Sequence, residues 1–364
     1  MNLKRFGVPA VVAVTAALAL SSCASNEGGA AAPEESASTL SGNLVGAGAS
    51  SQDTAQQSWI AGFQTANPDV TIDYDPSGSG AGRDTFLAGA SDYAGSDRAF
   101  KDEEIAAGGF TACAPDTGIV ELPVYISPIA VVFNLDGIDS LDLDAATIAG
   151  IFAGTITNWN DPAIVATNPD ATLPDLAITA VHRSDKSGTT GNFTDYLAAA
   201  APGVWTAGSV EEWPIEGGEA AQGTSGVVDA VTGGSGTIGY ADASRAGDLG
   251  IVSVKVGDEF VPYSPEAASA VVDASPFAEG RTEGDLAIEL DRNADDTGVY
   301  PIVLVSYLIA CEEYADAANV ELLKSYLAYT ASEDGQATAA TDAGSAPISD
   351  SLREKINAAI DSIK

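Results

Sequence analysis

The sequence predicts an α/β protein built on two sheets, with a first domain interrupted by a second. Three observations carry that expectation. From Asn43 onward, short β-rich runs alternate with helical segments, the pattern of sheets whose strands are joined by crossover helices. Two long apolar, β-branched runs, 118–134 and 299–310, suit strands buried on both faces. Turns rich in glycine and hydroxyl side chains recur where strands end and helices begin. A length of 364 residues also favours more than one hydrophobic core.

In chain order, NLVGAG (43–48) reads as a strand and 52–64 as a helix. VTIDYDP (70–76) is a strand, 83–88 a short helix, and SDYAGS (91–96) a strand again. GIVELPVYISPIAVVFN (118–134), broken by Pro123 and Pro128, suits a strand that leaves one sheet and enters another. A second α/β region follows: ATIAGIF (146–152) is helical, AITAVH (177–182) a strand and GTIGYADAS (236–244) strand-like. After the apolar run VYPIVLVSYLIA come helices. The last, 350–364, places Leu352, Ile356, Ala359, Ile360 and Ile363 on one face, with capping-box spacing at Ser351 and Glu354. The expected division is 41–126 with 300–364 in one lobe and 127–299 in the other.

The chain carries 52 acidic and 15 basic side chains, a formal net charge of −37. No basic stripe interrupts that acidity, which excludes a nucleic-acid partner. Lys4 and Arg5 precede an apolar run, 8–20, too short to span a bilayer, so 1–22 reads as a signal peptide. Leu20-Ser21-Ser22-Cys23 resembles a bacterial lipobox. The resemblance implies a diacylglycerol on the Cys23 thiol, holding the protein to the outer face of the cell membrane. Residues 23–40, small and polar, read as a flexible tether. Cys113 and Cys311 then remain as an even pair in an oxidising compartment. A disulfide between them is expected, two buried thiols being the other reading.

Four turns share one design: GAGASS (46–51), PSGSGAG (76–82), AGSD (94–97) and RSDKSGTT (183–190). Helix starts leave N–H groups unpaired and partially positive, glycine lets the backbone come close, and Ser or Thr adds a hydroxyl. Such turns bind anions at short range, which suits a protein whose own charge repels them. None matches the Walker pattern, and none gives the full dinucleotide fingerprint.

Together with ITNWNDPAIVATNPDATLP (156–174), EWPIEGG (212–218) and GTIGYADAS, these segments resemble, in order, the PstS family: the phosphate-binding proteins of bacterial phosphate ABC transporters. The resemblance runs from about Asn43 past Tyr300. It implies a two-lobed periplasmic-binding-protein-like fold, each lobe a mainly parallel sheet flanked by helices, with the ligand in the cleft between them. It implies inorganic phosphate, as its mono- and dihydrogen ions, held by Ser50, Ser51, Ser79, Asp97, Arg183, Ser187, Gly188 and Thr189, with Asp185 orienting Arg183. The partners implied are a membrane permease and, through the lipid, the membrane itself; the protein would be a monomer with no metal and no cofactor. Ser50-Ser51 stands where Thr-Phe is usual, His182 where a basic residue is common, Lys186 where glycine is common, and Thr224-Ser225 where Asn-Asp is frequent.

The residue chemistry agrees with that site. Arg183 offers a planar fork suited to two oxygens of one anion. Asp97 is the oddity, since a carboxylate repels an anion unless one of the anion's oxygens carries a proton. Phosphate near neutral pH keeps a proton and sulfate does not, so Asp97 would admit the first and reject the second. Its other reading is a cap on a helix starting near Lys101. Other oxyanions, such as sulfate or molybdate, fit Asp97 badly. An enzyme of the Ser-His-Asp type would need His182, the one histidine, which a strand turns to the face opposite Arg183. No nucleophile elbow is present either. DRNADDTG (291–298) resembles half a calcium loop, but Asp296 stands at the glycine position and the closing glutamate is absent. A cell-surface structural protein would explain the lipid but not four anion turns.

Overall fold

A computed structural model describes residues 39–292 and 298–364. The signal segment, Cys23 and nearly all of the tether lie outside the described residues, as do positions 293–297 of the half calcium loop.

The first part of the chain alternates as expected: β1 (Gly42–Gly48), α1 (Asp53–Ala66), β2 (Val70–Asp75), α2 (Ser79–Leu87), β3 (Tyr93–Ser96) and α3 (Asp102–Ala107). The long β4 (Ile119–Asn134) leads into β5 (Ser140–Leu143), α4 (Ala145–Phe152), α5 (Pro162–Thr167), β6 (Thr179–Arg183) and α6 (Gly188–Ala200). Then follow β7 (Glu219–Ala221), α7 (Gly223–Gly233), β8 (Thr237–Asp242), β9 (Gly250–Val256), β10 (Glu259–Val261) and α8 (Pro265–Ala274). The chain returns through β11 (Val303–Cys311) and closes with α9 (Val320–Ala331), α10 (Glu333–Ala343) and α11 (Asp350–Ser362).

Strand order is β2-β1-β3-β11-β4-β8-β6-β7, with β9 also pairing β4, β5 and β10. β4 does what its two prolines suggested. Its first part, Ile119 to Pro128, pairs antiparallel with β11, and its second, Ile129 to Asn134, pairs antiparallel with β8. One strand thus runs through both sheets of a two-lobed α/β fold. The outer strands β1, β2, β3 on one side and β6, β7, β8 on the other are parallel, as expected. Antiparallel pairing is concentrated on β4, β11 and β9. Nearly every residue of β4 and all of β11 are buried, which is why both read as unbroken apolar runs.

Two boundaries differ from the sequence expectation. α2 starts at Ser79, four residues before Arg83. Its glycines oppose a helix on propensity alone, but Gly82 sits where a Cβ would lie 2.3 Å from the Gly48 Cα, so close packing on β1 decides. α11 is capped by Ser349, whose hydroxyl accepts from the Leu352 N–H, and not by Ser351. Its buried face is the predicted one: Leu352, Ile356, Ala359 and Ile360. Cys113 and Cys311 form the expected disulfide, 198 residues apart in sequence with Cα atoms 5.3 Å apart.

Candidate anion-binding site

All four turns meet. The Gly78 N–H donates to the Gly48 carbonyl at 2.7 Å, and the Ala49 N–H to the Gly95 carbonyl at 2.9 Å. Across to the second sheet, the Gly80 N–H donates to the Lys186 carbonyl at 3.0 Å. Two glycines are required by this crowding. Gly78 has φ +107°, and a Cβ there would lie 2.4 Å from Asp185 Oδ2. At Gly188 a Cβ would lie 2.6 Å from Ser79 Oγ and 2.7 Å from the Asp97 Cβ.

β6 ends on Arg183, whose side chain is buried. Its Nε donates to Asp185 Oδ1 at 2.8 Å and its Nη2 to Oδ2 at 2.5 Å. The Gly223 N–H at the start of α7 also donates to Asp185 Oδ1, at 3.0 Å. Burial works against the Asp185 charge, but the Arg183 hydrogen bonds and charge outweigh it and hold the carboxyl below its usual range. One edge of the guanidinium is thereby fixed. Its Nη1 donates to no described residue, which leaves that edge for an anion.

Asp97 is buried and receives three hydroxyl donors. Ser51 Oγ reaches Oδ1 at 2.5 Å, Ser306 Oγ reaches Oδ1 at 2.7 Å, and Thr189 Oγ1 reaches Oδ2 at 2.9 Å. Burial pushes its pKa above the ordinary aspartate value, against the pull of these three donors and of Arg183. The capping alternative fails, because Lys101 is the N-cap of α3 and Glu104 accepts from its N–H at 2.8 Å.

The other predicted residues divide by role. Ser79 Oγ accepts from the Asp97 N–H at 3.1 Å and donates to no described residue, so its proton is available. Ser187 caps α6 by accepting from the Thr190 N–H at 3.1 Å, and the Gly191 N–H returns to the Ser187 carbonyl. The Gly188 and Thr189 N–H groups, which meet no acceptor among the described residues, are then the donors of the helix start. Ser50 instead meets Thr224: their hydroxyls lie 3.1 Å apart, and the Thr224 N–H donates to Ser50 Oγ at 3.1 Å. His182 points away and stacks on Trp213, ring centroids 4.9 Å apart.

Sequence reasoning missed Ser306, Gln52, Asn192 and an ion cluster at the rim. Ser306 had one visible signal, the one serine in a buried apolar strand. Asn192 Nδ2 donates to the Asp97 carbonyl at 2.6 Å. In the cluster, Arg83 donates to both Glu211 oxygens at 2.8 and 2.7 Å, and Arg98 Nε lies 2.8 Å from Glu211 Oε2. Nothing local in the sequence pairs residues 128 positions apart. Asn192, Arg98 and Glu211, with Lys186 and Arg292, line an open cavity of about 1160 Å³ beside Asp97. Among the described residues, no three His, Cys, Asp or Glu side chains are grouped to hold a metal.

A buried arginine held by a carboxylate, two helix starts and an acceptor aspartate, set where two mixed α/β sheets share a strand, define a protein of the periplasmic-binding class. A family model described as a PBP superfamily domain matches residues 33–334. Phosphate-binding protein PstS 3 of Mycobacterium tuberculosis (strain ATCC 25618 / H37Rv) is 35% identical over 379 residues, covering 100% of both chains. The PstS 3 protein of Mycobacterium leprae is 33% identical over 380 residues, again covering both chains fully. Among solved structures, the high-affinity periplasmic phosphate-binding protein PfluDING, bound with phosphate, superposes with a TM-score of 0.68 at 22% identity, over 87% of this chain and 93% of that one. The chain belongs to the PBP superfamily and, within it, to the PstS family of phosphate-binding proteins.

Proposed function

We propose that this chain is an extracytoplasmic receptor that binds inorganic phosphate between its lobes and delivers it to the permease of a phosphate ABC transporter. The observation that carries the reading is Asp97 beside Arg183. The arginine's free edge and the helix-start N–H groups serve the unprotonated oxygens of the anion. Asp97, already an acceptor from three hydroxyls, serves its protonated oxygen. The ligand set is Ser79, Asp97, Arg183, Ser187, Gly188 and Thr189, with the backbone of Ser50 and Ser51 at the first turn and Asp185 in support.

The role is binding rather than catalysis. His182 is committed to Trp213 and to the 217 carbonyl, 3.2 Å from its Nε2, and stands away from the hydroxyls of the site. Lobe 1 comprises 41–126 and 300–364, lobe 2 comprises 127–299, and their closure reports the bound state to the permease as shape. The protein acts as a monomer, held to the membrane by lipid on Cys23, and uses no cofactor or metal.

Thermal unfolding with and without phosphate tests the reading. A ligand at about 100 times its Kd stabilises the folded state by about 2.7 kcal/mol, a readily measured rise in Tm. An unmoved Tm at millimolar phosphate would contradict it. Cys23→Ser should release the protein from the membrane fraction.

A further inference from the structure

Asp97 discriminates between anions only while it accepts. A carboxylate has about four acceptor positions, and hydroxyls of Ser51, Ser306 and Thr189 occupy three of them. The one that remains suits an anion oxygen bearing a proton. A hydroxyl can rotate, however, and either give or take a hydrogen bond. Something must aim these.

For Ser306 the aim is traceable. Its Oγ accepts from Gln52 Nε2 at 2.6 Å, so its single proton goes to Asp97. Gln52 cannot flip, because the same Nε2 also donates to the Tyr307 carbonyl at 3.1 Å, and a carbonyl only accepts. Behind it, Gln52 Oε1 accepts from Gln56 Nε2 at 2.9 Å, and Gln56 Oε1 accepts from the Tyr326 hydroxyl at 2.8 Å. Gln52, Gln56, Ser306 and Tyr326 are each 0% exposed. A polar chain through an apolar core is costly unless every member is satisfied, and here each one points the same way. It starts on α9, crosses α1 and β11, and ends on the carboxylate. Arg183 of β6 and Tyr74 of β2 interact electrostatically with Asp97, and the charged side chains of Arg98, Lys186, Glu211 and Arg292 share the cavity beside it.

We propose that Gln52 and Ser306 are positioning residues that set the selectivity of the site, because the directed hydrogen-bond chain they form obliges Asp97 to act as an acceptor. The proposal rests on the phosphate reading and goes beyond it. Neither residue has to touch the anion. Their effect falls on which anions are admitted and at what pH.

Calorimetric titration of the full chain with inorganic phosphate and with sulfate, between about pH 5 and pH 8, tests this in wild type, Ser306→Ala and Gln52→Glu. Wild type should take phosphate throughout and sulfate only toward the acid end, where Asp97 gains a proton to donate. In Ser306→Ala the pH at which sulfate begins to bind should rise by about one, and the phosphate-to-sulfate affinity ratio should fall about tenfold, the equivalent of one pKa unit. Gln52→Glu, which offers Ser306 an acceptor in place of a donor, should move the ratio and the pH profile the same way with the Ser306 hydroxyl intact. Equal weakening of both anions with an unmoved pH profile in both variants would overturn the proposal. Wild type binding neither anion would overturn the phosphate reading itself, and this inference with it.

Discussion

Arg183 and Asp185, two residues apart, grip each other through two side-by-side hydrogen bonds of 2.8 and 2.5 Å, and the start of α7 fixes the pair by a third bond to Asp185. The guanidinium is thus oriented before any anion arrives. Arg183→Lys keeps the charge and loses the fork, so phosphate affinity should fall roughly 10- to 100-fold, the loss of one or more charged hydrogen bonds. Asp185→Asn should weaken binding less, because the charge on Arg183 remains and only its orientation is lost. Titration calorimetry at neutral pH separates the two.

Asp97→Asn replaces an acceptor pair with one acceptor and one donor. Phosphate should bind more weakly and sulfate more strongly, so the ratio of their affinities should narrow by about tenfold or more. Acid should imitate the variant. Burial raises the Asp97 pKa, so its proton arrives at a higher pH than for an ordinary carboxylate, and selectivity is lost as pH falls through that value. An unchanged ratio in competition binding would remove Asp97 from the account.

Glu211 joins two arginines that come from α2 and from the segment after β3. The side chains of Arg83 and Glu211 are 2% and 11% exposed. Glu211→Gln would leave the buried Arg83 without its counter-charge, while Arg98 keeps Glu104 at 2.7 and 2.8 Å, and removing one partner of a buried pair costs about 3–5 kcal/mol. Burial tends to raise the Glu211 pKa, but the two arginines outweigh it and hold it low. The contribution is therefore present at neutral pH and lost only in acid. Urea denaturation of wild type and variant at neutral pH measures it.

Asp242 works in the opposite direction. Burial raises its pKa to about 6, and one of its oxygens, Oδ2, has no hydrogen-bond partner among the described residues. The folded carboxyl therefore holds its proton more tightly than the unfolded one. Stability should fall as pH rises from about 4 to about 6, by on the order of 3 kcal/mol. Asp242→Asn should flatten that part of the stability–pH curve. If wild type and variant run parallel across it, the carboxyl is not charged at the expense of the fold.

The fold was legible where a local pattern repeats. Alternation gave β1 to β3 and the helices between them, and the two prolines of β4 marked its passage between sheets. The disulfide followed from parity and compartment. The site was legible at its turns, because glycine and hydroxyl residues at strand ends serve helix starts whatever the tertiary fold. Long-range pairing was not. Ser50 reaches Thr224, and Ser306 reaches Asp97, 209 residues away. Which way a hydroxyl faces depends on the atoms around it, and those arrive only with the fold. The early start of α2 was hidden because contact with Gly48 overrides the poor helix propensity of its glycines.

The central claim is that an oriented arginine and an acceptor aspartate select an oxyanion carrying a proton. Titration calorimetry of the wild-type protein with phosphate and then with sulfate, at neutral pH and under one buffer, tests it most directly. The account predicts saturable one-to-one binding of phosphate and at least about a hundredfold weaker binding of sulfate, the difference expected from one mispaired buried charge. Sulfate binding as tightly as phosphate would contradict it.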